Sequence, residues 1–326
     1  MKALQLTRPR SFTPVDVARP ELGSAPGSRL VVETGSVSIC GSDIPSFTGR
    51  RQPQAFPLPA GAPIHECAGT VVQTTSTRFC PGDLVVAIPD FNQGLAEYFT
   101  ALASRAVKLP ADLAGASSCP LVQPLSTVVS AVDRVGAVAG RTFAVVGLGS
   151  IGLLFCWLLR RRGASAVVGI DPLESRCRLA ERIGATRTRA LRSAEVLRAA
   201  REDASTWEPP DVCVEAVGHQ METLNDCLGL VGRRGTVLAF GVPDHDVYSI
   251  EFSTFFRKNA QLLAAVTPDW TEYLPKALAL FAEHRHELEA LVTHRLPIRD
   301  AGRAFELYER HEEGIVKVLL DGSAWK

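Results

Sequence analysis

The sequence predicts a two-domain α/β protein, with an irregular β domain first and a doubly wound parallel sheet after it. Three observations carry this. The first third is rich in Pro, Gly and short β-branched runs. From about Phe143, apolar strand runs alternate with amphipathic helical stretches. And 326 residues at 46 % hydrophobic content suffice to bury the cores of two domains.

In the first third, strands are expected at residues 30–34, 69–72 and 83–88, separated by turn signals such as Pro81-Gly82-Asp83. In the second region, residues 143–146, 166–170, 212–215 and 236–240 are short buried strands, and residues 151–161 and 173–183 are helices between them. After Val266 the chain turns helical. It closes on a final strand at 315–320, a tail that can rejoin the first domain.

Composition excludes several classes of function. Lys plus Arg equals Asp plus Glu, 35 each, so bulk charge gives no support for nucleic acid as a partner and argues against a membrane surface. The best apolar run, 151–159, ends in three arginines, Arg160, Arg161 and Arg162, and does not span a bilayer. The N-terminus has neither the apolar core nor the cleavage site of a signal peptide, so a cytoplasmic protein is expected. Eight cysteines lie scattered with no Cys-x-x-Cys pair. Most of Cys67, Cys80, Cys119, Cys156, Cys177, Cys213 and Cys227 are therefore expected to be buried thiols.

The strongest local motif is Gly147-Leu148-Gly149-Ser150-Ile151-Gly152, placed between an apolar strand and an apolar helix. That context makes it the phosphate-binding turn of a Rossmann domain. Gly147 permits the tight turn, Gly149 lets backbone approach a pyrophosphate, and Gly152 lets helix pack on sheet. The helix start at Ser150 and Ile151 offers free N–H groups and a positive dipole end to phosphate. Asp171 ends the next strand, 19 residues after Gly152. A carboxylate there accepts hydrogen bonds from ribose hydroxyls and repels a 2′-phosphate, which favours NAD over NADP. Arg176 either stacks beside adenine or is a solvated helix charge. Ala216 and Val217, at a later strand end, are placed to line the cofactor.

Cys40-Gly41-Ser42-Asp43 follows a β-like stretch, and His65-Glu66 comes 25 residues after Cys40. Each alone is unremarkable. Together they supply a thiolate and an imidazole, which suits zinc, and a catalytic zinc needs a third protein ligand and an open position.

These segments resemble the zinc-dependent medium-chain dehydrogenases, such as the sorbitol, threonine and glucose dehydrogenases. The likeness runs through Cys40-Gly41-Ser42-Asp43, His65-Glu66-Cys67-Ala68-Gly69, Pro81-Gly82-Asp83-Leu84-Val85, Gly94-Leu95-Ala96-Glu97-Tyr98 and the glycine motif. It continues in Leu291-Val292-Thr293-His294-Arg295 and Ala304-Phe305-Glu306, and so covers nearly the whole chain. It implies a GroES-like domain at 1–123 with a C-terminal return at 268–326, a Rossmann domain at 124–267, and a homodimer or homotetramer. It implies that Cys40, His65 and Glu66 hold one catalytic zinc. Asp43 then orients His65, and Ser42 takes the proton of a substrate hydroxyl. The implied reaction moves a hydride between NAD and a secondary alcohol of a polyol, sugar or similar small molecule.

The chain departs from the family at several points. Gln123 stands where many relatives carry a ligand glutamate, and is either a weak ligand or a substrate contact. Asp90-Phe91-Asn92-Gln93 runs straight to Gly94 where relatives insert a four-cysteine loop, so no structural zinc is expected. Ile64 replaces a glycine before the His-Glu pair. Pro45 replaces a relay histidine, leaving the proton path to Ser42, cofactor ribose and water, or to Glu97 or His245. Residues 46–51 and 267–270 are expected to shape specificity, and His284, His286 and His311 to be solvated helix residues. Two other readings remain: a metal-free NAD(P)H reductase of the quinone type on the same fold, and a non-catalytic dinucleotide-binding protein.

Overall fold

The computed structural model describes residues 1–22, 27–50 and 55–325. It divides into two compact units, Met1–Ser126 with Asp269–Lys326, and Thr127–Pro268.

The first unit opens with a hairpin, β1 (Lys2–Arg8) and β2 (Ser11–Asp16). Then come β3 (Arg29–Ser38), the short helix α1 (Ile44–Thr48), β4 (Glu66–Thr74), β5 (Leu84–Ala87), β6 (Tyr98–Leu102) and β7 (Ala106–Lys108). These strands pair antiparallel, and β3, β4 and β5 are buried along most of their length, whereas β6 alternates buried and half-buried residues. The Pro81-Gly82-Asp83 turn forms as the sequence suggests. Gly82 takes φ +94°, and the Asp83 carboxylate accepts from the Cys80 N–H at 2.9 Å. Among the buried side chains of this unit, Phe47 and Phe305 lie 4.9 Å apart between ring centroids, with Phe12 packed on both.

Helix α2 (Val122–Val135) leads into the second unit. There β8 (Thr142–Val146), α3 (Ser150–Arg161), β9 (Ala166–Ile170), α4 (Glu174–Ile183), β10 (Arg187–Arg189), α5 (Ser193–Glu202), β11 (Val212–Glu215), α6 (Glu222–Leu230), β12 (Thr236–Ala239), α7 (Phe252–Lys258) and β13 (Gln261–Ala264) alternate. All six strands are parallel, in the order β10-β9-β8-β11-β12-β13. That is the Rossmann order, with the reversal between β8 and β11. Strand β8 is apolar along its length because helices cover both faces. Helix α3 buries nine of its 12 residues and stops at Arg160 and Arg161, whose charge suits a helix C-terminus.

The chain then returns to the first unit through α8 (Trp270–Leu288), β14 (Val292–Pro297), α9 (Ala301–Arg310) and β15 (Lys317–Asp321). Strand β15 pairs antiparallel with β3 and completes a seven-stranded sheet, β14-β15-β3-β4-β5-β7, with β6 also on β3. The last strand thus joins the sheet that contains β3 and β4. Among the described residues, no helix is long and apolar enough to cross a membrane.

Most of the seven cysteines are buried, as expected: Cys67, Cys119, Cys156, Cys177, Cys213 and Cys227 are, and Cys80 is exposed in the turn before β5. Burial pushes the Cys119 thiol up to about 11 and the Cys156 thiol up to about 12, so both are inert. His284 is half-buried at a kink in α8 (φ −120°, ψ 23°), not solvated. His311 takes a left-handed φ of 55° just past the end of α9, so it caps that helix instead of lying within it.

Candidate metal centre and dinucleotide site

The metal-binding candidates converge in the first unit. Cys40 follows the end of β3, and Gly41–Asp43 forms a single 3-10 turn after it. His65 precedes β4, and Glu66 is its first residue. One ligand atom from each of Cys40, His65 and Glu66 lies within 4.8 Å of the others.

Asp43, 2 % exposed, grips two of the three. Its Oδ2 accepts from the Cys40 backbone N–H at 2.9 Å, and its Oδ1 lies 2.9 Å from His65 Nδ1. With Nδ1 engaged, Nε2 is the nitrogen left for a metal. Burial lowers the pKa of His65, but the Asp43 carboxylate and Cys40 reverse that and hold it well above the ordinary value. Burial pushes the Asp43 carboxyl up, while His65 and the Cys40 N–H pull it back. Asp43→Asn is therefore expected to weaken zinc binding about 10- to 100-fold, the usual cost of losing a ligand's partner, with folding retained. Chelator competition measures this, and an unchanged affinity would deny Asp43 the orienting role.

Glu66 is fully buried. Its Oε2 pairs with Lys317 Nζ at 2.5 Å and accepts from the Ser38 hydroxyl. Its Oε1 is buried with no hydrogen-bond partner. A buried carboxylate oxygen without a partner is costly unless something occupies it. Thiolate, imidazole and a carboxylate oxygen are a donor set that fits a zinc ion. Lys317 was missed in the sequence, although a lysine inside the apolar run Ile315-Val316-Lys317-Val318-Leu319 is itself a signal. Burial lowers its pKa, but the nearby Glu66 and Cys40 charges outweigh that and hold it above the usual lysine range.

Ser42 is half-buried in the turn beside Cys40. Gln123 is buried at the second position of α2, just after a 3-10 turn (Cys119–Leu121) that packs on β3 and β4. Ile64 is fully buried, and Pro45 is buried at the start of α1. Of the two alternative relay groups, Glu97 Oε2 accepts the Lys2 backbone N–H at 2.7 Å, and His245 is exposed on a loop of the second unit. Of the expected specificity segment, Ser46 and Thr48 are buried in α1, with the Thr48 hydroxyl bonded to the Ile44 carbonyl at 2.9 Å, and Arg51 lies outside the described residues.

The dinucleotide candidates assemble in the second unit at the mouth between β8 and α3. Gly147 takes φ +90° after β8, and its N–H donates to Ile170 at 2.8 Å. A Cβ on Gly152 would lie 1.8 Å from the Gly147 carbonyl, so only glycine fits there. A Cβ on Gly149 meets nothing within 4 Å. No neighbour in the protein requires that glycine; the open space before the start of α3 fits a phosphate. Ser150 is buried and Ile151 half-buried in the first turn of α3.

Asp171 follows β9 and is 4 % exposed. Its Oδ2 accepts from the Leu148 N–H and its Oδ1 from the Leu173 N–H, each at 2.8 Å. Arg176 Nη1 lies 3.6 Å from Asp171, and the Arg176 side chain is 12 % exposed. It is thus turned inward toward the carboxylate, which rules out a solvated helix charge. Ala216 and Val217 follow β11, and their turn is held by Glu215, the last residue of that strand. Glu215 Oε1 accepts from the N–H groups of Val217 and Gly218 at 3.0 Å and from the Thr223 hydroxyl at 2.9 Å.

Residues 150–283 match the family model of the zinc-binding dehydrogenases, and residues 26–111 match that of the alcohol dehydrogenase GroES-like domain. The chain is 27 % identical to a sorbitol dehydrogenase of Gallus gallus, over 90 % of this chain and 89 % of that protein. Alcohol dehydrogenase TADH from Thermus sp. ATN1 superposes with a TM-score of 0.81 at 25 % identity, covering 98 % of this chain and 99 % of that one. A protein described as a zinc-binding dehydrogenase of Sinorhizobium meliloti 1021, solved with NADP, gives the same TM-score and identity over 98 % of both chains. With both domain models matched in order and the cysteine, histidine and glycine motifs brought to two built sites, the chain belongs to the zinc-type medium-chain alcohol dehydrogenase family.

Proposed function

We propose that this protein is a zinc- and NAD-dependent dehydrogenase that interconverts a secondary alcohol and a ketone on a polyol, sugar or related small molecule. One observation carries the reading: Cys40, His65 and Glu66 present three donors of the right chemistry within 4.8 Å of one another, and the buried Glu66 carboxylate keeps one oxygen without a partner.

Zinc, when bound, supplies the Lewis acidity that lowers the pKa of a substrate hydroxyl, and NAD⁺ accepts the hydride. The residues of the chain do the rest. Asp43 fixes the orientation of His65 and the backbone at Cys40. Ser42, two residues from Cys40, accepts the hydrogen bond of the substrate hydroxyl and passes its proton to water, since Pro45 offers no imidazole and Glu97 is engaged by the chain start. In the second unit, the first turn of α3 binds the pyrophosphate, with Gly149 leaving room for it. Asp171 receives the adenosine ribose hydroxyls and disfavours a 2′-phosphate, so NAD is preferred even though the Sinorhizobium relative was solved with NADP. The same reading includes assembly as a homodimer or homotetramer.

Metal content by plasma mass spectrometry, followed by turnover of a polyol and sugar panel with NAD⁺ and NADP⁺, tests this. Expected are about one zinc per chain and a kcat/KM favouring NAD⁺ at least about tenfold, equivalent to ~1.4 kcal/mol. A protein purified without chelator that holds no zinc, or turns over quinones without it, overturns the metal reading. A preference for NADP⁺ overturns the role given to Asp171.

A further inference from the structure

Behind the three donors, the sheet carries a row of buried polar groups that the proposed reaction does not use directly. Strands β15, β3 and β4 lie side by side, with Leu319 opposite Ser38 and Ser38 opposite Glu66. Side chains two apart on a strand share a face, so Lys317, two residues from Leu319, falls on the same face as Ser38 and Glu66. All three are fully buried. Lys317 Nζ also donates to the Ile39 carbonyl at 3.0 Å, next to Cys40.

Burying a lysine this completely is costly, and the usual compensation is a partner held in good geometry. Here the partner is divided. Glu66 Oε2 takes both Lys317 and Ser38, and Glu66 Oε1 takes neither. Two donors on one oxygen fix the plane and rotamer of the carboxylate and leave the other oxygen open to a ligand contact. Charge points the same way. A Cys40 thiolate with the buried Asp43 and Glu66 carboxylates makes three negative charges close together. A divalent ion supplies two positive charges, and Lys317 supplies the third.

We infer that Lys317 and Ser38 are positioning residues that hold Glu66 to the metal through the single oxygen Oε1, so that Glu66 serves as the third ligand where the chain has the neutral Gln123. This rests on the reading of Cys40, His65 and Glu66 as zinc ligands. The C-terminal strand is thereby a working part of the metal centre, since it brings in the cation that fixes a ligand some 250 positions earlier in the chain.

The test is zinc affinity by chelator competition on the full-length protein, together with the visible absorption of the cobalt(II)-loaded form, which reports on the ligand set. Lys317→Met is expected to weaken zinc about 10- to 100-fold and to shift the cobalt bands. Ser38→Ala is expected to weaken it about fivefold, the worth of one hydrogen bond. In a Glu66→Gln background, Lys317→Met is expected to change affinity no further, because its effect passes through Glu66. Wild-type affinity and spectrum in both Lys317→Met and Ser38→Ala, with zinc lost in Cys40→Ser, overturn this inference and leave the ligand reading intact. Zinc retained in Cys40→Ser overturns the ligand reading itself. Should Lys317→Met not fold with Glu66 left unpaired, Ser38→Ala and the charge-neutral double variant decide. An unaffected Ser38→Ala, or a double variant weaker than Glu66→Gln alone, overturns the proposal.

Discussion

Cys40→Ser is expected to empty the metal site and lower kcat/KM about a thousandfold or more while the fold stays intact. The loss follows from ligand chemistry. A thiolate is a strong zinc donor near neutral pH, and a serine hydroxyl is not ionised there, so the site falls to two donors. Lewis-acid stabilisation is worth several kcal/mol, and each ~1.4 kcal/mol is a factor of ten in rate. Retention of the fold follows from how Cys40 is built in. It is only half-buried, and the bond that anchors it runs from its backbone N–H to Asp43, which serine keeps. Cys67 is the control. It is fully buried against Gly94, and burial pushes its thiol well above the ordinary range. Cys67→Ser should keep the zinc and lose stability, by about 1–3 kcal/mol for burying a hydroxyl. Plasma mass spectrometry, thermal melts and steady-state rates on the two variants separate the cases. Zinc retained in Cys40→Ser would remove Cys40 from the ligand set.

The contrast between those two cysteines marks what was legible in the sequence. Strand β8 and helix α3 could be read directly, because elements buried on both faces must be apolar along their length. The edges of the same sheet could not. Strand β10 is Arg187-Thr188-Arg189, polar and mostly exposed, and only its backbone pairing with β9 makes it a strand. Strand β13 at the other edge is largely exposed along Gln261–Ala264, so burial left no alternation to read. In the candidate site, Cys40, His65 and Glu66 were legible as motifs, and the structure brings their ligand atoms together. Ser38 was not, because nothing local distinguishes it, and Lys317 showed only as a lysine inside an apolar run, with no sign of its partner. Their meeting at Glu66 depends on β15 pairing with β3, a contact between opposite ends of the chain. Arg176 was left open between two readings for a related reason: a helix pattern places a residue on a face but does not say that the side chain turns back toward Asp171.

The glycine motif gives the second large effect, because the structure separates a glycine required by the fold from one the fold does not require. Gly152→Ala sets a methyl 1.8 Å from the Gly147 carbonyl, a backbone atom with no freedom to move. The helix must lift off the strand, and the expected cost is about 3 kcal/mol of stability or more. Gly149→Ala is different. Its φ of −68° is ordinary for alanine, and the added Cβ touches nothing within 4 Å. Its stability should stay within about 1 kcal/mol of wild type, the size of a cap substitution. Nucleotide affinity should nevertheless fall about tenfold or more, since the methyl occupies the space where the pyrophosphate approaches backbone. Thermal melts and a fluorescence titration with NADH read the two quantities independently. The expected pattern is crossed: Gly152→Ala unfolds early, and Gly149→Ala melts normally but binds poorly. If Gly149→Ala binds NADH as tightly as the wild type, the open space at the start of α3 is not where the phosphates sit. The dinucleotide must then be held by the later strand ends around Val217, where Glu215 keeps the turn in place.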